Sequence, residues 1–130
     1  MPELLGIDNV MFAVYDLDAA IVFYEDLGFV LKFKVEAAGM ALFAIGAENP
    51  GLLLRAEGGG GPGRIGTAGV GRFWVEVRNA DAVAAELNAA GISTERLETA
   101  TGITVEATDP SGNVVGFADY TKRPQLARRG

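Results

Sequence analysis

The chain has 130 residues, of which 17 are acidic and 11 basic, giving a formal net charge of −6. It contains no histidine and no cysteine. Disulfides, thiol nucleophiles, the commonest general base and the commonest metal ligand are therefore excluded. With 49% apolar and 22% charged residues, the composition is that of one globular domain.

No stretch approaches the ~18 consecutive apolar residues of a membrane span. The N-terminus carries Glu3 and Asp8 rather than the basic start and apolar run of a signal peptide. The expectation is a cytoplasmic protein without membrane contact. Charge is unevenly placed. The tail, 122–130, holds Lys122, Arg123, Arg128 and Arg129 and no acid. Without it, seven basic residues face 17 acidic ones, a net charge of −10. Such a body repels nucleic-acid phosphates. Its acidity either attracts amine-bearing ligands or serves only solubility. The tail is expected to be frayed.

In chain order, the first element is a strand over 9–14, with Val10, Phe12 and Val14 on one face. Asp16 or Asp18 caps a helix running to Leu27, which offers Ala20, Phe23, Tyr24 and Leu27 to the sheet. Gly28 stops it. Strands follow at about 30–35, 40–45 and 52–55, the last two joined by a turn at Asn49-Pro50-Gly51. A glycine-rich segment, 58–71, comes next and reads either as a flexible linker or as a lid.

The same order then recurs. A strand over 72–77 places Phe73, Val75 and Val77 on one face. Asn79 or Asp81 caps a helix running to Ala90, which presents Val83, Leu87 and Ala90. Gly91 stops it, and strands follow at about 93–97, 103–108 and 114–118. Asp109-Pro110-Ser111-Gly112-Asn113 is the closing turn. Val14 and Val77, Asp18 and Asp81, Gly28 and Gly91, and Gly39 and Gly102 all lie 63 apart. The chain is thus an internal repeat. It is an α+β domain of two tandem βαβββ modules, 5–57 and 72–121, joined by the 58–71 segment and followed by the basic tail.

The stretch from Asn9 to Gly28, with Tyr15-Asp16-Leu17-Asp18 and Phe23-Tyr24, resembles the opening of the vicinal-oxygen-chelate superfamily. This is the glyoxalase, bleomycin-resistance and extradiol-dioxygenase group. Asp109 to Asn113 resembles its closing turn, and the likeness covers about 5–121. The resemblance implies a curved mixed sheet with helices on one face and a cleft on the other. It also implies four metal-ligand positions, which fall here on Asn9, Leu53, Arg72 and Gly116. Leu53 and Gly116 have no donor side chain, and Arg72 cannot be deprotonated. The likeness is therefore to a metal-free, drug-binding type, with no metal and no cofactor expected. The fold by itself hosts many chemistries.

With the cleft on one face, alternation sends Asn9, Met11, Ala13, Arg72, Trp74 and Glu76 toward it. Ala41, Phe43 and Ile45 are expected there with their counterparts Thr104, Glu106 and Thr108, and with Leu53, Arg55, Gly116 and Ala118. A one-residue slip would invert any of these. The expected ligand-binding set is Asn9, Met11, Phe43, Leu53, Arg55, Arg72, Trp74, Glu76, Glu106 and Gly116. It is mostly apolar with sparse charges, as ligand pockets are. Gly116 leaves room for a ring, and Trp74 can stack on a flat ligand or a cation.

Each position has a plainer reading. Trp74 could fill the core or a dimer interface, and Met11 and Phe43 could be packing. Arg72 with Glu76 could be a surface salt bridge, and Glu106 a structural partner of Arg72 or Arg55. The expected function is sequestration of an aromatic antibiotic or natural product, by a homodimer on the family's analogy. The alternatives are a metal-free isomerase, cyclase or tailoring enzyme using Glu76 or Glu106 as base, and an interaction module without a small ligand. No catalytic residue is assigned.

Overall fold

The computed structural model describes residues 1–5, 7–47, 50–60 and 65–128. Eight strands and two α-helices form two copies of one βαβββ unit. The first unit comprises β1 (Asn9–Val14), α1 (Leu17–Asp26), β2 (Val30–Val35), β3 (Met40–Ala44) and β4 (Gly51–Ala56). The second comprises β5 (Arg72–Glu76), α2 (Ala80–Ala89), β6 (Glu95–Glu98), β7 (Ile103–Thr108) and β8 (Val114–Ala118). Each unit is a four-stranded mixed sheet, ordered β1-β4-β3-β2 and β5-β8-β7-β6, with the first and last strands of the unit parallel. No described helix is long and apolar enough to cross a membrane.

The helix starts settle on one cap each. Asp16 accepts from the Ala19 N–H, and Asn79 from the Ala82 N–H. Each satisfies one of the amides that a helix leaves without an internal partner. Asp81, the other candidate, instead pairs with Arg96 at 2.8 Å. Gly28 and Gly91 take the left-handed conformation just past the helices, at φ of 96° and 85°. Ala20, Tyr24 and Leu27 of the first helix segment are buried, as the helical spacing predicts. In the second, Leu87 is buried and Ala90 is exposed.

The two units share one apolar core. Phe12 of β1 and Phe73 of β5 meet edge to face, with ring centroids 5.2 Å apart. The Tyr24 hydroxyl crosses from α1 to donate to Asp109 in the closing turn at 2.8 Å. The Asn113 side chain donates to the Ala13 carbonyl, and the Tyr15 N–H donates to Ser111. Buried amides and carbonyls demand such partners, so these bonds fix the two units together within one chain.

The 63-residue offset holds for β1, β4, β5 and β8. Asn9 pairs with Gly51 and Arg72 with Val114. It fails in β3. Leu42, not Phe43, lies opposite Leu53, whereas Glu106 lies opposite Gly116. The cause is the connection after the strand: Ala44 pairs with Gly51, but Thr108 pairs with Val114, so the first unit carries one extra residue there. One residue turns every side chain of a strand over. Ala41 and Phe43 therefore lie on the helix side, both fully buried, and Phe43 packs near Tyr24. Ile45 lies past the end of β3 and packs against the core. The expected turn at Asn49-Pro50-Gly51 begins outside the described residues.

The glycine-rich segment is packed at both ends. The Gly59 N–H donates to the Ala56 carbonyl, and the Ala68 N–H to the Glu57 carboxylate. Residues 61–64, at its centre, lie outside the description. As far as Arg128, the basic tail is docked rather than frayed. The Lys122 N–H donates to Thr101, and a short 3-10 helix, Pro124–Leu126, brings Arg128 onto Glu76.

Candidate functional site

The faces turned away from the helices carry the candidate residues. On the first sheet, one row runs across all four strands as Met11, Leu53, Leu42 and Phe33. The equivalent row of the second sheet is Trp74, Gly116, Glu106 and Glu95. The first is wholly apolar, with Met11 50% and Phe33 46% exposed. The second holds an aromatic ring and two carboxylates. Phe33, Leu42 and Glu95 were missed from the sequence. The signal for Leu42 was the extra residue between β3 and β4. Phe33 needed the irregularity in β2 between Leu31 and Phe33, which no residue pattern announces.

Trp74 and Gly116 are direct cross-strand partners. The indole lies across the Gly116 backbone, where a Cβ at 116 would come within 2.6 Å of the indole Nε1. The room that Gly116 leaves is thus taken by the chain's own ring. The indole N–H donates to Glu106 Oε2 at 2.8 Å. Arg72, the preceding same-face residue on β5, reaches the same oxygen at 2.6 Å. Glu106 is buried to 9% exposure, while Trp74 keeps 46%. A buried carboxylate held by two donors fixes both of them in turn. Trp74 is therefore a half-exposed aromatic surface whose edge is tied down and whose back rests on backbone.

Glu76 lies one step further along the same face of β5. It is not paired with Arg72 as a surface bridge. Its two oxygens accept from the Arg128 N–H at 2.8 Å and the Arg128 guanidinium at 2.6 Å. Arg55 lies on the cleft side by register but is buried, donating to the Gly60 carbonyl at 3.3 Å. The packed end of the glycine-rich segment is one of its neighbours. Asn9 accepts from the Gly51 N–H at 3.1 Å and closes the first turn of the β1–β4 ladder.

The four positions that would carry a metal fall on the expected faces, but their chemistry does not fit a divalent ion. Leu53 and Gly116 offer no donor, Arg72 is cationic and bound to Glu106, and the Asn9 carbonyl is engaged. Among the described residues, no three acidic, histidine or cysteine side chains cluster as metal ligands.

Elsewhere, Asp119 is a buried carboxylate with several donors. Burial works to raise its pKa, but the N–H groups of Ala80, Ile103 and Thr121 and the Thr121 hydroxyl together hold it below the ordinary 3.8. It fastens the start of α2 to β7 and to Thr121, just before the tail. Two cavities flank the second sheet. One, of about 590 Å³, lies at the Glu76 end, beneath the tail. The other, of about 420 Å³, lies between Phe23, the 91–95 segment and Glu106. Neither is lined by residues of both outward rows.

Comparison with solved structures finds the same fold repeatedly. A lactoylglutathione lyase from Agrobacterium tumefaciens is 24% identical, with a TM-score of 0.75 over 95% of this chain and 99% of that one. TnmS3, an antibiotic binding protein from Streptomyces sp. CB03234, is 21% identical, with a TM-score of 0.76 over 93% and 100%. A virulence protein, STM3117, from Salmonella typhimurium is 24% identical, with a TM-score of 0.69 over 92% and 100%. At such identities the likeness is one of fold. No curated protein sequence matches. Residues 6–117, nearly the whole repeat, match one sequence family, and the chain belongs to the Glyoxalase/Bleomycin resistance protein/Dioxygenase superfamily.

Proposed function

We propose that the protein binds an aromatic small molecule, such as an antibiotic or natural product, without a metal, and sequesters it. The observation that carries this reading is Trp74. Its ring is half exposed on the outward face, yet held by Gly116 behind and Glu106 at its edge. A preorganised ring loses little entropy on stacking, which favours affinity. The donor-poor set at Asn9, Leu53, Arg72 and Gly116 supports a site that works by contact rather than by Lewis acidity. The likeness in fold to an antibiotic binding protein is consistent with it.

The apolar row of the first sheet, with Met11, Leu53, Leu42 and Phe33, supplies the opposite wall of the pocket in this reading. Neither described cavity joins the two rows within one chain. The proposed arrangement is a homodimer in which the apolar row of one protomer faces the Trp74 row of its partner. The acid–base alternative is less favoured, since Glu106 is held by Arg72 and Trp74, and Glu76 by Arg128.

The test is a titration with a panel of aromatic antibiotics, following Trp74 fluorescence with and without a chelator, alongside sedimentation to fix the oligomeric state. Saturable quenching that ignores the chelator is expected. Calorimetry on Trp74→Ala should show affinity falling by roughly ten- to thirtyfold, the order of one lost stack with its desolvation. Undiminished affinity in that variant, or quenching abolished by the chelator, would overturn the reading.

A further inference from the structure

The tail of this chain sits on the same outward face as Trp74. Arg72, Trp74 and Glu76 alternate onto one side of β5, and successive same-face residues of a strand stand about 6.6 Å apart. At the third of these positions the structure places a guanidinium. Arg128 gives Glu76 both a side-chain bond at 2.6 Å and a backbone bond at 2.8 Å. The two partners are 52 residues apart in sequence, so the contact is tertiary, not local. Their exposures differ sharply. The Glu76 side chain is 16% exposed and the Arg128 side chain 85%. The carboxylate belongs to the framework, and the cation is an outside visitor to it.

Beneath the tail lies the larger cavity, about 590 Å³, lined by Glu76, Val77, Tyr120, Pro124, Ala127 and Arg128 among others. That volume is in the range of small-molecule sites. Its wall combines one carboxylate, the Arg78 side chain, a tyrosine ring, a threonine and aliphatic surface, so Glu76 is its single anionic group. The body apart from the tail carries a net charge of −10, so a cation is drawn to it.

We infer that this cavity is a second binding site, for a ligand bearing a guanidinium or primary amine, and that the tail is its built-in competitor. The cation of the ligand takes the place of the Arg128 guanidinium on Glu76, and the segment over Pro124–Leu126 lifts away. An exposed ion pair is weak, so the tail can hold the site closed without sealing it. The inference is independent of the aromatic-ligand reading, which rests on Trp74 and the neighbouring row.

The experiment is calorimetric titration with agmatine, which carries both a guanidinium and an amine, on the full chain. Wild type, Arg128→Ala and Arg128→Ala with Glu76→Gln are compared, with thermal melts to verify that each is folded. Removing the competitor should tighten agmatine binding about two- to fivefold, and Glu76→Gln should abolish the gain. Trypsin should cut after Lys122 faster in Arg128→Ala, and faster in wild type with saturating agmatine. Equal affinity in wild type and Arg128→Ala, binding that survives Glu76→Gln, or no binding to any folded variant would overturn the inference.

Discussion

Replacing Gly116 with alanine adds one methyl group where the Trp74 indole lies. The new Cβ would stand within 2.6 Å of Nε1 and 2.9 Å of Cγ, closer than real Cβ contacts allow. The backbone on either side is locked, since Gly116 is laddered to both Trp74 and Glu106. The ring is therefore the part that moves. Swinging it outward breaks its bond to Glu106, worth about 1 kcal/mol for a half-exposed group. It also exposes apolar area worth roughly another 1–2 kcal/mol. Alanine recovers about 0.5 kcal/mol of backbone entropy in a strand. The net cost is about 2 kcal/mol of stability, read by urea denaturation. Trp74 is the only tryptophan, so its emission reports the movement directly and should shift to the red. Affinity for an aromatic ligand should fall about tenfold as the platform loses its fixed orientation. In a Trp74→Ala background the same substitution should cost nothing, because the clash is gone. Unchanged emission and affinity in Gly116→Ala would refute the claim that glycine is there to seat the ring.

Two further tests concern buried carboxylates, one at the joint between the units and one within the second unit. Tyr24→Phe removes a buried donor to Asp109 and should cost about 1.5–3 kcal/mol, measured by denaturant titration. Burial, then the charge and hydrogen bond of Asp109, hold the Tyr24 phenol far above its ordinary value of 10. The folded state thus keeps a proton that the unfolded state loses, so this contribution is whole below pH 10 and is lost as pH rises beyond it. The alkaline loss should be smaller in Tyr24→Phe. Asp119 behaves oppositely. Its folded pKa lies below 3.8, so its contribution is present above that value and lost as pH falls toward the folded pKa. Asp119→Asn should weaken the protein at neutral pH by about 2–3 kcal/mol and flatten the acid limb of its melting-temperature profile.

The order and type of the elements were legible in the residues. Period-two apolar runs, capping aspartate and asparagine, and stop glycines are local signals, and each needs only a few neighbouring residues to act. The donor-poor character of Asn9, Leu53, Arg72 and Gly116 was legible for the same reason, because it depends on what the side chains are. The placement of Phe43 was not. It turned on one extra residue between β3 and β4, and strand register is decided by pairing across the sheet, not within the strand. Leu42 and Phe33 came to the outward face through that register and the β2 irregularity. The partners of the charges were legible only as alternatives, with Arg72 offered to Glu76 or Glu106, and the tail partner of Glu76 was not legible at all. Arg72 chose Glu106 rather than Glu76, and Glu76 took Arg128 from the tail, because a buried carboxylate accepts whichever donor the packing brings within reach. The sequence by itself determined which elements form and which metal chemistry is missing. Only the tertiary structure decided which side chains share a face, because that depends on register and docking, where one residue of chain length outweighs any local preference.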